Sequence, residues 1–334
     1  MKINLDEQIK NLPGPCVIFG AGGFIGFNLL EKLLKHRNDI FGVFSEPKKN
    51  WRFNKFPPPP LNVVKCNITD RGEIPRLIYR IKPKSIFNLA AYGGYSTQKD
   101  IDRIYQTNFN STYTLIEELK KFGFSAYIHA GSQSEYGLNS SSPSEQDELI
   151  PNSHYAVSKT ADYYLLKYYG KVEKLPVVHL RFYSIYGPWE EPNRLIPTLI
   201  REVKKGRLPP LVDPNISRDF VYVDDVVEAM VMIAATIAVG NRHAYSLHGE
   251  AFNICYGKKT TIKELAYLAK KLFKIKSEPK FSSMKNRDWD LKNWYGDPKK
   301  IQKVFNWEAK INLEQGLKKF YVDPGGGTPG LDRP

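Results

Sequence analysis

The sequence predicts an α/β protein with a doubly wound parallel sheet and a smaller mixed α/β lobe toward the carboxyl terminus. In the first half of the 334-residue chain, short apolar runs alternate with longer amphipathic stretches, the pattern of βαβ units. After Pro188 the pattern becomes irregular, with helices expected at 195–205, 224–238 and 261–273. The change of pattern indicates that the lobe is built differently from the main sheet.

Six apolar runs are the predicted strands. Each is short and is followed by a helical pattern or a loop, as expected for strands of a parallel sheet. They are CVIF, IFGVF, NVVKC, SIFNLA, AYIHA and VVHLRFY, at 16–19, 40–44, 62–66, 85–90, 126–130 and 177–183. A helix at 153–169 precedes the sixth run. The segment 51–61, which contains Pro57 to Pro60, predicts an extended surface loop, because four successive prolines exclude regular structure.

Domain boundaries follow from these patterns. We expect residues 1–187, with returns around 218–255, to form the main domain, and 188–217 together with 256–322 to form the lobe. The segment 323–334 is rich in Gly and Pro and has no apolar periodicity, so we expect a disordered tail.

Composition narrows the class of protein. The net charge of +14 attracts polyanions, but the 49 Lys and Arg are spread along the chain without a nucleic-acid-binding motif, so we expect no nucleic acid partner. The longest apolar run, 229–239, is too short to cross a membrane, and the amino terminus does not resemble a secretory signal. We therefore expect a cytoplasmic protein. The three Cys and six His show no ligand spacing, so no metal site is predicted.

A glycine-rich turn lies between the first strand and a helical run. Its glycines are Gly20, Gly23 and Gly26, with Phe24 and Ile25 between the last two. A strand, a tight turn and a helix amino terminus direct backbone N–H groups and the helix dipole toward a pyrophosphate. Glycine is needed where a Cβ would block close approach. The turn therefore predicts a Rossmann-type domain that binds a dinucleotide.

The end of the second strand bears on which dinucleotide binds. An acid there would hold the ribose hydroxyls of NAD, but Ser45 follows the strand. Ser45, Lys48 and Lys49 could hold a 2′-phosphate, while Glu46 keeps NAD open. We expect NADP, with NAD as the alternative.

Tyr155 and Lys159 form the main candidate for proton transfer. They are four residues apart in YAVSK, so a helix places them on one face, one turn apart. A Tyr has an ordinary pKa of about 10, and a nearby ammonium favours the ionised phenol, which makes the pair a usable base.

Several motifs in one order carry a resemblance to a known family. Besides the glycine turn they are NLAA, Thr107-Asn108, GSQSEYG, YAVSK, LRFYSIYGP, RDFVYVDDV and FNICYGK. With these motifs the chain resembles the extended short-chain dehydrogenase/reductase family, in particular its sugar-nucleotide epimerases, dehydratases and 4-keto reductases, over about residues 15 to 320. A homodimer and a nucleotide-diphosphate sugar as substrate are the partners that we expect.

The resemblance assigns roles to individual residues. It makes Tyr155 the catalytic acid or base, Lys159 its activator and nicotinamide-ribose ligand, and Ser132 the partner of the sugar hydroxyl. Further cofactor contacts are expected at Asn67, Ile68, Ala90, Ala91 and Asn108. Substrate contacts are expected at Ser184, Arg218 and Arg287. Arg218 would grip the diphosphate through its planar guanidinium, the alternative being an ion pair with Asp219.

One departure from the family pattern bears on the reaction. The family's 4,6-dehydratases carry an acid two residues before the Tyr of the GSQSEYG-like motif, and this chain has Ser134 there, with Glu135 next to Tyr136. We therefore rank a dehydratase below the other activities. The expected reaction is epimerisation through a transient 4-keto sugar, with a 4-keto-sugar reductase as the alternative. A non-catalytic dinucleotide-binding regulator is the alternative from another class.

Overall fold

The structure is a computed structural model that describes residues 4–283 and 291–323. Eleven strands lie within these ranges. They are β1 (Cys16–Phe19), β2 (Ile40–Phe44), β3 (Val63–Lys65), β4 (Ser85–Asn88), β5 (Ala126–Ser132), β6 (Val177–Phe182), β7 (Ser184–Tyr186), β8 (Ser217–Arg218), β9 (Phe220–Tyr222), β10 (Ala251–Ile254) and β11 (Thr260–Thr261). Seven of them form one sheet in the order β10-β6-β5-β4-β1-β2-β3.

Thirteen α-helices connect the strands in the described part of the chain. They are α1 (Leu5–Asn11), α2 (Phe24–Leu34), α3 (Trp51–Lys55), α4 (Glu73–Ile81), α5 (Ile101–Tyr105), α6 (Ser111–Lys120), α7 (His154–Lys171), α8 (Leu195–Lys204), α9 (Val223–Ala238), α10 (Arg242–Leu247), α11 (Ile262–Leu272), α12 (Lys299–Phe305) and α13 (Leu313–Val322). The four helices expected at 153–169, 195–205, 224–238 and 261–273 are present as α7, α8, α9 and α11.

The predicted parallel sheet is confirmed. Strand β1 pairs in parallel with β2 and β4, β2 pairs with β3, and β4 pairs with β5. All six predicted strands belong to this sheet, and β10 adds a seventh within the expected return around 218–255. Every residue of β1, β4, β5 and β6 is buried, as expected when helices cover both faces of a parallel sheet.

Helices cover both faces of the sheet. On one face α4, α6 and α7 pack on the side chains that include Val17, Val43 and Ile86. On the other face α2 packs against β2, since a Cβ at Gly42 would lie 2.9 Å from a methyl carbon of Leu30. Because successive strand residues point to opposite faces, Gly42 and Val43 mark the two sides. The sheet is therefore doubly wound, as predicted.

The segment between β2 and β3 is more regular than predicted. The helix α3 begins after Asn50, whose side chain accepts hydrogen bonds from the N–H groups of Arg52 and Phe53 at 3.1 Å each. An Asn at this position satisfies N–H groups that have no partner within the helix. The expected loop at 51–61 is thus wrong for its first five residues, because the prolines begin only at Pro57, after the helix has ended.

The chain divides into two units. The first comprises the described residues up to 137 together with 151–181 and 227–252. The second comprises 138–150, 182–226 and the described residues from 253 to 323. In the second unit a parallel pair, β7 with β9, and an antiparallel pair, β8 with β11, pack with helices, so the smaller mixed α/β lobe is confirmed. Its core is formed by apolar side chains of β7, β9, α8, α11 and α13.

Three further observations concern the whole described chain. The three cysteines are buried free thiols, and burial raises the pKa of Cys16 to about 11 and that of Cys66 to about 12. None of the described helices is long and apolar enough to span a membrane. The expected tail at 323–334 lies, apart from Asp323, outside the described residues.

Candidate active site

Two glycines of the turn after β1 leave no room for a side chain. Gly20 has a φ of +76°, and a Cβ there would lie 2.6 Å from the backbone nitrogen of Ala90. A Cβ on Gly26 would lie 2.3 Å from the carbonyl oxygen of Gly20. Both distances are below any real Cβ contact, so the first helical turn of α2 lies directly against the backbone of the turn. This close approach is what a pyrophosphate cradle requires.

The amino terminus of α2 is open to an anion. The residue before the helix, Gly23, supplies no side-chain cap, so the first N–H groups of α2, which include those of Phe24 and Ile25, lack a capping side chain. Two side chains hold the turn in place, since Asn50 Nδ2 and Arg52 Nη1 donate to the carbonyl oxygen of Gly22 at 2.8 and 3.1 Å. The sequence reasoning did not identify Asn50 or Arg52.

The residues after β2 carry mixed charge. Ser45, Glu46 and Lys48 are exposed. Lys49 Nζ lies 2.7 Å from a carboxylate oxygen of Glu46, and this contact lowers the pKa of the Glu46 carboxyl. At the end of β2 the charges of Glu46 and Lys49 thus form an ion pair, and Lys48 adds a second positive charge beside them.

The other expected cofactor residues follow β3 and β4. The Asn67 side-chain oxygen accepts from the backbone N–H and the hydroxyl of Thr69, at 3.2 and 2.9 Å. Ile68 is partly buried and packs on the core of the sheet, as does Ala90. Ala91 is exposed. Ala90 meets the glycine turn through its backbone, so the structure brings the ends of β1 and β4 together at the expected cofactor site.

Helix α7 carries Tyr155 and Lys159. It begins after Ser153, whose hydroxyl accepts from the N–H of Ala156 at 3.2 Å. Tyr155, in the first turn, is partly buried, whereas Lys159 is enclosed and donates from Nζ to the carbonyl oxygen of Ala130 at 2.9 Å. The carbonyl belongs to the end of β5, so the helix and the central sheet fix the ammonium together.

The loop after β4 packs on the Tyr155 ring. A Cβ at Gly93 would lie 3.3 Å from the ring, and a Cβ at Gly94 would lie 3.9 Å from its hydroxyl oxygen. Asn108, in a π-helical turn at Gln106–Asn110, ties this loop to α7. Its side-chain oxygen accepts from the N–H of Tyr92 at 2.9 Å. Its side-chain nitrogen donates to the carbonyl oxygen of Tyr92 at 3.0 Å and to the Ser158 hydroxyl at 2.8 Å. Asn108 thus holds the loop beside Tyr155.

Ser132 lies at the end of β5, where Glu135 folds back beneath it. The Ser132 hydroxyl accepts from the N–H of Ser134 at 3.1 Å, and the Ser132 N–H donates to Glu135 Oε1 at 2.7 Å. This reciprocal pair is a capping box, which fixes the backbone of Ser132. A Cβ at Gly131 would lie 2.6 Å from Glu135 Oε1, so glycine is required where the carboxylate enters.

The Glu135 carboxylate is fully buried and charged. Burial alone would raise its pKa, but His179 and Arg181 outweigh burial and lower the pKa to about 2. His179 Nε2 lies 2.8 Å from Oε1, and Arg181 Nε donates to Oε2 at 2.7 Å. The Arg181 guanidinium also donates to the Tyr136 hydroxyl at 2.9 Å and lies over the Tyr136 ring. Glu135 is therefore part of the support of Ser132.

A second buried cluster lies beneath Lys159. Asp162 Oδ2 is 3.6 Å from Lys159 Nζ and 3.1 Å from His129 Nε2. Asn88 Nδ2 faces His129 Nδ1 at 3.5 Å and donates to the Tyr127 hydroxyl at 2.9 Å. The cluster joins β4, β5 and α7. None of its members except Lys159 was identified from the sequence, although Tyr155, Lys159 and Asp162 fall on one helix face.

The expected substrate residues Ser184 and Arg218 belong to the second unit. The Ser184 N–H donates to the carbonyl oxygen of Asp219 at 2.9 Å. The Arg218 guanidinium donates to the carbonyl of Ser217 and lies 5.2 Å from the ring centre of Trp294. The Asp219 carboxylate accepts from backbone N–H groups, including those of residues 256, 257 and 296, at 2.8 to 3.3 Å. Arg287 lies outside the described residues.

The geometry of the first unit supports a specific chemistry. An anion cradle, a phenol one turn from an enclosed ammonium, and a fixed serine hydroxyl are the parts of a nicotinamide-dependent oxidation of an alcohol. The comparison with known proteins agrees with this. The model of the NAD-dependent epimerase/dehydratase family matches residues 16–255. The chain belongs to this family.

Relatives of the family match nearly the whole chain. The UDP-glucuronate 4-epimerase of Thermodesulfobacterium geofontis is 26% identical over 318 residues, 92% of this chain and 94% of that protein. The structure of UDP-glucose 4-epimerase from Thermotoga maritima, solved with UDP-glucose, has a TM-score of 0.80 and 25% identity, and covers 92% of this chain and 97% of its own. MoeE5, solved with UDP-glucuronic acid and NAD, has a TM-score of 0.75, 26% identity and the same coverage.

Membership in the family confirms the resemblance drawn from the motifs, and it makes the protein an enzyme of the NAD-dependent epimerase/dehydratase family. The residues present fit that cofactor, since the backbone at Gly20 and Gly26 approaches its neighbours too closely for a Cβ, as a turn that holds a pyrophosphate requires. The individual assignments to cofactor and substrate stay predictions.

Proposed function

We propose that this protein is a sugar-nucleotide 4-epimerase that acts through a transient 4-keto sugar. The observation that carries the proposal is the arrangement at the end of β5, where Lys159 is held by Ala130 and Ser132 is held by Glu135. The named relatives act on UDP-sugars or bind them. On that basis we infer that the substrate of this chain is a UDP-hexose or a UDP-hexuronate.

The proposed roles use the chain's own groups. Tyr155, as the ionised phenol that Lys159 stabilises, removes the proton of the C4 hydroxyl, holds it as a neutral phenol while the sugar is a ketone, and then returns it to the ketone oxygen. Ser132 donates a hydrogen bond to the oxygen that reacts. The glycine turn, with Gly20 and Gly26, would hold the pyrophosphate of the cofactor. The nicotinamide, when bound, supplies the site that accepts and returns the hydride.

The surroundings of Glu135 argue against a dehydratase. Loss of water from C6 needs an acid that reaches the substrate, and the family's dehydratases place it at the position of Ser134. Glu135, the neighbouring acid, is buried and bonded to Arg181, His179 and the Ser132 N–H, and its pKa of about 2 keeps it ionised. It is therefore not a proton donor at neutral pH, which supports a product of unchanged mass.

The experiment that tests the proposal follows the sugar and the cofactor together. The purified protein is incubated with UDP-glucose, UDP-galactose or UDP-glucuronate and with catalytic amounts of NAD or NADP, and the sugar ring is read by NMR. We expect inversion at C4 with no net change in absorbance of the reduced nicotinamide. Stoichiometric oxidation of reduced cofactor on a 4-keto sugar, without inversion of any saturated sugar, assigns a reductase instead. The absence of turnover with intact cofactor binding supports the non-catalytic regulator.

The second proposal concerns the cofactor. The named relative that carries a dinucleotide holds NAD, but here Ser45 follows β2, and Lys49 pairs with Glu46 at 2.7 Å. The remaining positive charge of Lys48 favours a 2′-phosphate. We propose that NADP binds more tightly than NAD, through Ser45 and Lys48.

Calorimetric titration with the two dinucleotides tests this preference. We expect charge reversal at both lysines, Lys48→Glu with Lys49→Glu, to weaken NADP binding and to leave NAD binding nearly unchanged. Charge reversal at Lys10, an exposed lysine of α1, is the control. Equal affinities in the unmodified protein, or a preference for NAD, contradict the proposal.

A homodimer is the third proposal. Helices α6 and α7 expose large apolar side chains that a monomer has little reason to keep in water. They are Tyr113 on α6 and Val157, Tyr164 and Tyr168 on α7, each 39 to 55% exposed. We propose that a second copy covers this face. Light scattering after gel filtration should give twice the mass of 38.3 kDa, and Tyr164→Asp with Tyr168→Asp should give a monomer, whereas Tyr245→Asp on α10 should not.

The expected cytoplasmic location also stays a prediction. Cell fractionation with an antibody against the chain checks it. Recovery of the protein in the membrane or secreted fraction contradicts it.

A further inference from the structure

Asp162 is the buried acid closest to the proposed catalytic lysine. Its Oδ2 atom lies 3.6 Å from Lys159 Nζ on one side and 3.1 Å from His129 Nε2 on the other. The side chains of all three residues are 0 to 1% exposed. A buried ammonium is costly unless a charge or several hydrogen bonds compensate it. Among the described residues, Asp162 is the carboxylate within ion-pair distance of Lys159.

The protonation states in this cluster follow from its geometry. Burial lowers the pKa of His129 to about 4, although the charge of Asp162 opposes the shift, so His129 is neutral at pH 7. Asn88 Nδ2 lies 3.5 Å from His129 Nδ1, and an amide nitrogen can only donate. Nδ1 is therefore the acceptor, and Nε2 carries the proton that is donated to Asp162. His129 holds the carboxylate without adding a charge.

Other titratable groups near Asp162 come from two strands. Tyr127 of β5 is completely buried, which raises its pKa and keeps it neutral. His179 of β6 stacks on His129 with ring centres 5.4 Å apart, but its Nε2 faces Glu135 at 2.8 Å. The charge that Lys159 meets directly is thus the charge of Asp162.

We propose that Asp162 is a positioning residue that keeps Lys159 in its charged form and thereby sets the ionisation of Tyr155. The proposal rests on the function proposed above for Tyr155 and Lys159. Tyr155, Lys159 and Asp162 stand at i, i+4 and i+7 of α7, so the three side chains share one face of the helix. Without the carboxylate, Lys159 would retain the Ala130 carbonyl as its polar partner and would lose its proton more readily.

The direction in which the titration midpoint of Tyr155 shifts when Asp162 is replaced decides the proposal. The phenolate of Tyr155 is followed at 295 nm by pH titration of the cofactor-loaded protein against its Tyr155→Phe variant, which cancels the other tyrosines. The same pair is then titrated in the Asp162→Asn background. If Lys159 loses its charge, the midpoint of Tyr155 rises, and we expect a rise of at least about one pH unit. If Lys159 stays charged, removal of a negative charge lowers the midpoint.

A lowered or unchanged midpoint in Asp162→Asn overturns the proposal. Asp225→Asn is the matched control, since Asp225 is also a buried acid but accepts from the backbone N–H groups of Lys310 and Ile311 in the second unit. It should leave the midpoint in place. If Asp162→Asn does not fold, His129→Phe and His129→Gln replace it. We expect the Phe variant, which lacks the donor to Asp162, to raise the midpoint and the Gln variant to retain it, and equal midpoints overturn the proposal.

This titration needs no sugar substrate, so it separates the two proposals. A raised midpoint in a protein that inverts no sugar supports the role of Asp162 and contradicts the epimerase. An unchanged midpoint in an active epimerase does the reverse. In an active enzyme we also expect kcat at neutral pH to fall by about tenfold or more in Asp162→Asn, with KM within about threefold, since the lysine acts on the chemical step.

Discussion

The substitution Gly26→Ala is the most direct test of the cofactor cradle. The added methyl carbon would lie 2.3 Å from the carbonyl oxygen of Gly20, 2.9 Å from its carbonyl carbon and 3.0 Å from Cα of Ala21. Ordinary contact begins near 3.4 Å, so the helix and the turn must separate by about 1 Å. Because these neighbours are backbone atoms, no side-chain rotation relieves the overlap. Overpacking of this kind costs about 1 to 3 kcal/mol.

The cost should be measured as lost cofactor affinity. If this free-energy cost falls on the turn in the conformation that binds the cofactor, it raises the dissociation constant by about 5- to 160-fold at 25 °C. Calorimetric titration with NAD and NADP measures this change, and thermal unfolding shows the part that falls on stability. Gly72→Ala is the control, because its Cβ would lie no closer than 3.3 Å to any neighbour and the residue has an ordinary φ of −86°. Unchanged affinity and unchanged melting temperature in Gly26→Ala would refute the reasoning.

Three further predictions follow from other contacts. Tyr155→Phe should retain the fold and cofactor binding but lower kcat by about 10²- to 10⁴-fold, as for a lost general acid or base; full activity would remove Tyr155 from the mechanism. Glu135 has a pKa of about 2 against an ordinary value of 4.5, so its stabilisation is complete above pH 4.5 and is lost as pH falls toward 2. Urea unfolding of Glu135→Gln should therefore show lower stability at pH 7 and a weaker loss on acidification, and parallel pH curves would contradict this. Gly170→Ala should destabilise the first unit by about 1 to 3 kcal/mol or more, since its Cβ would lie 2.0 Å from the backbone nitrogen of Gly249; an unchanged melting temperature would contradict the close contact.

Periodicity and local motifs predicted most of the fold. The six strands, the glycine turn and the helix with Tyr155 and Lys159 each leave a local pattern, because a strand and a helix bury side chains at different spacings. The helix α3 was missed because it is only five residues long and lies just before four prolines, and one cap, Asn50, marks its start. Propensity alone does not show such a cap unless the residue is tested at that position.

The support beneath the site was less visible in the sequence. His129 and His179 stand in strands as isolated polar residues among apolar neighbours, and the sequence does not state which acids they meet. Their partners, Asp162 and Glu135, lie 33 and 44 residues away along the chain. The packing of α7 on β5 brings Asp162 to His129, and the position of β6 beside β5 brings His179 to Glu135. The Ser132 and Glu135 pair was readable in principle, since S-x-x-E is the spacing of a capping box.

In this chain the burial of Glu135 limits where an acid for the elimination of water can stand. Because its carboxylate is committed to three internal partners, it cannot be recruited as an acid without loss of the support of Ser132. Ser134 is different: it is only partly buried, and its N–H is bonded to Ser132 through the backbone, which any residue retains. A new carboxylate at 134 would therefore leave the scaffold intact. In this chain a single substitution at 134 would thus supply an acid for the elimination of water. The acid already present at 135 cannot supply it, although the two positions are adjacent in the chain.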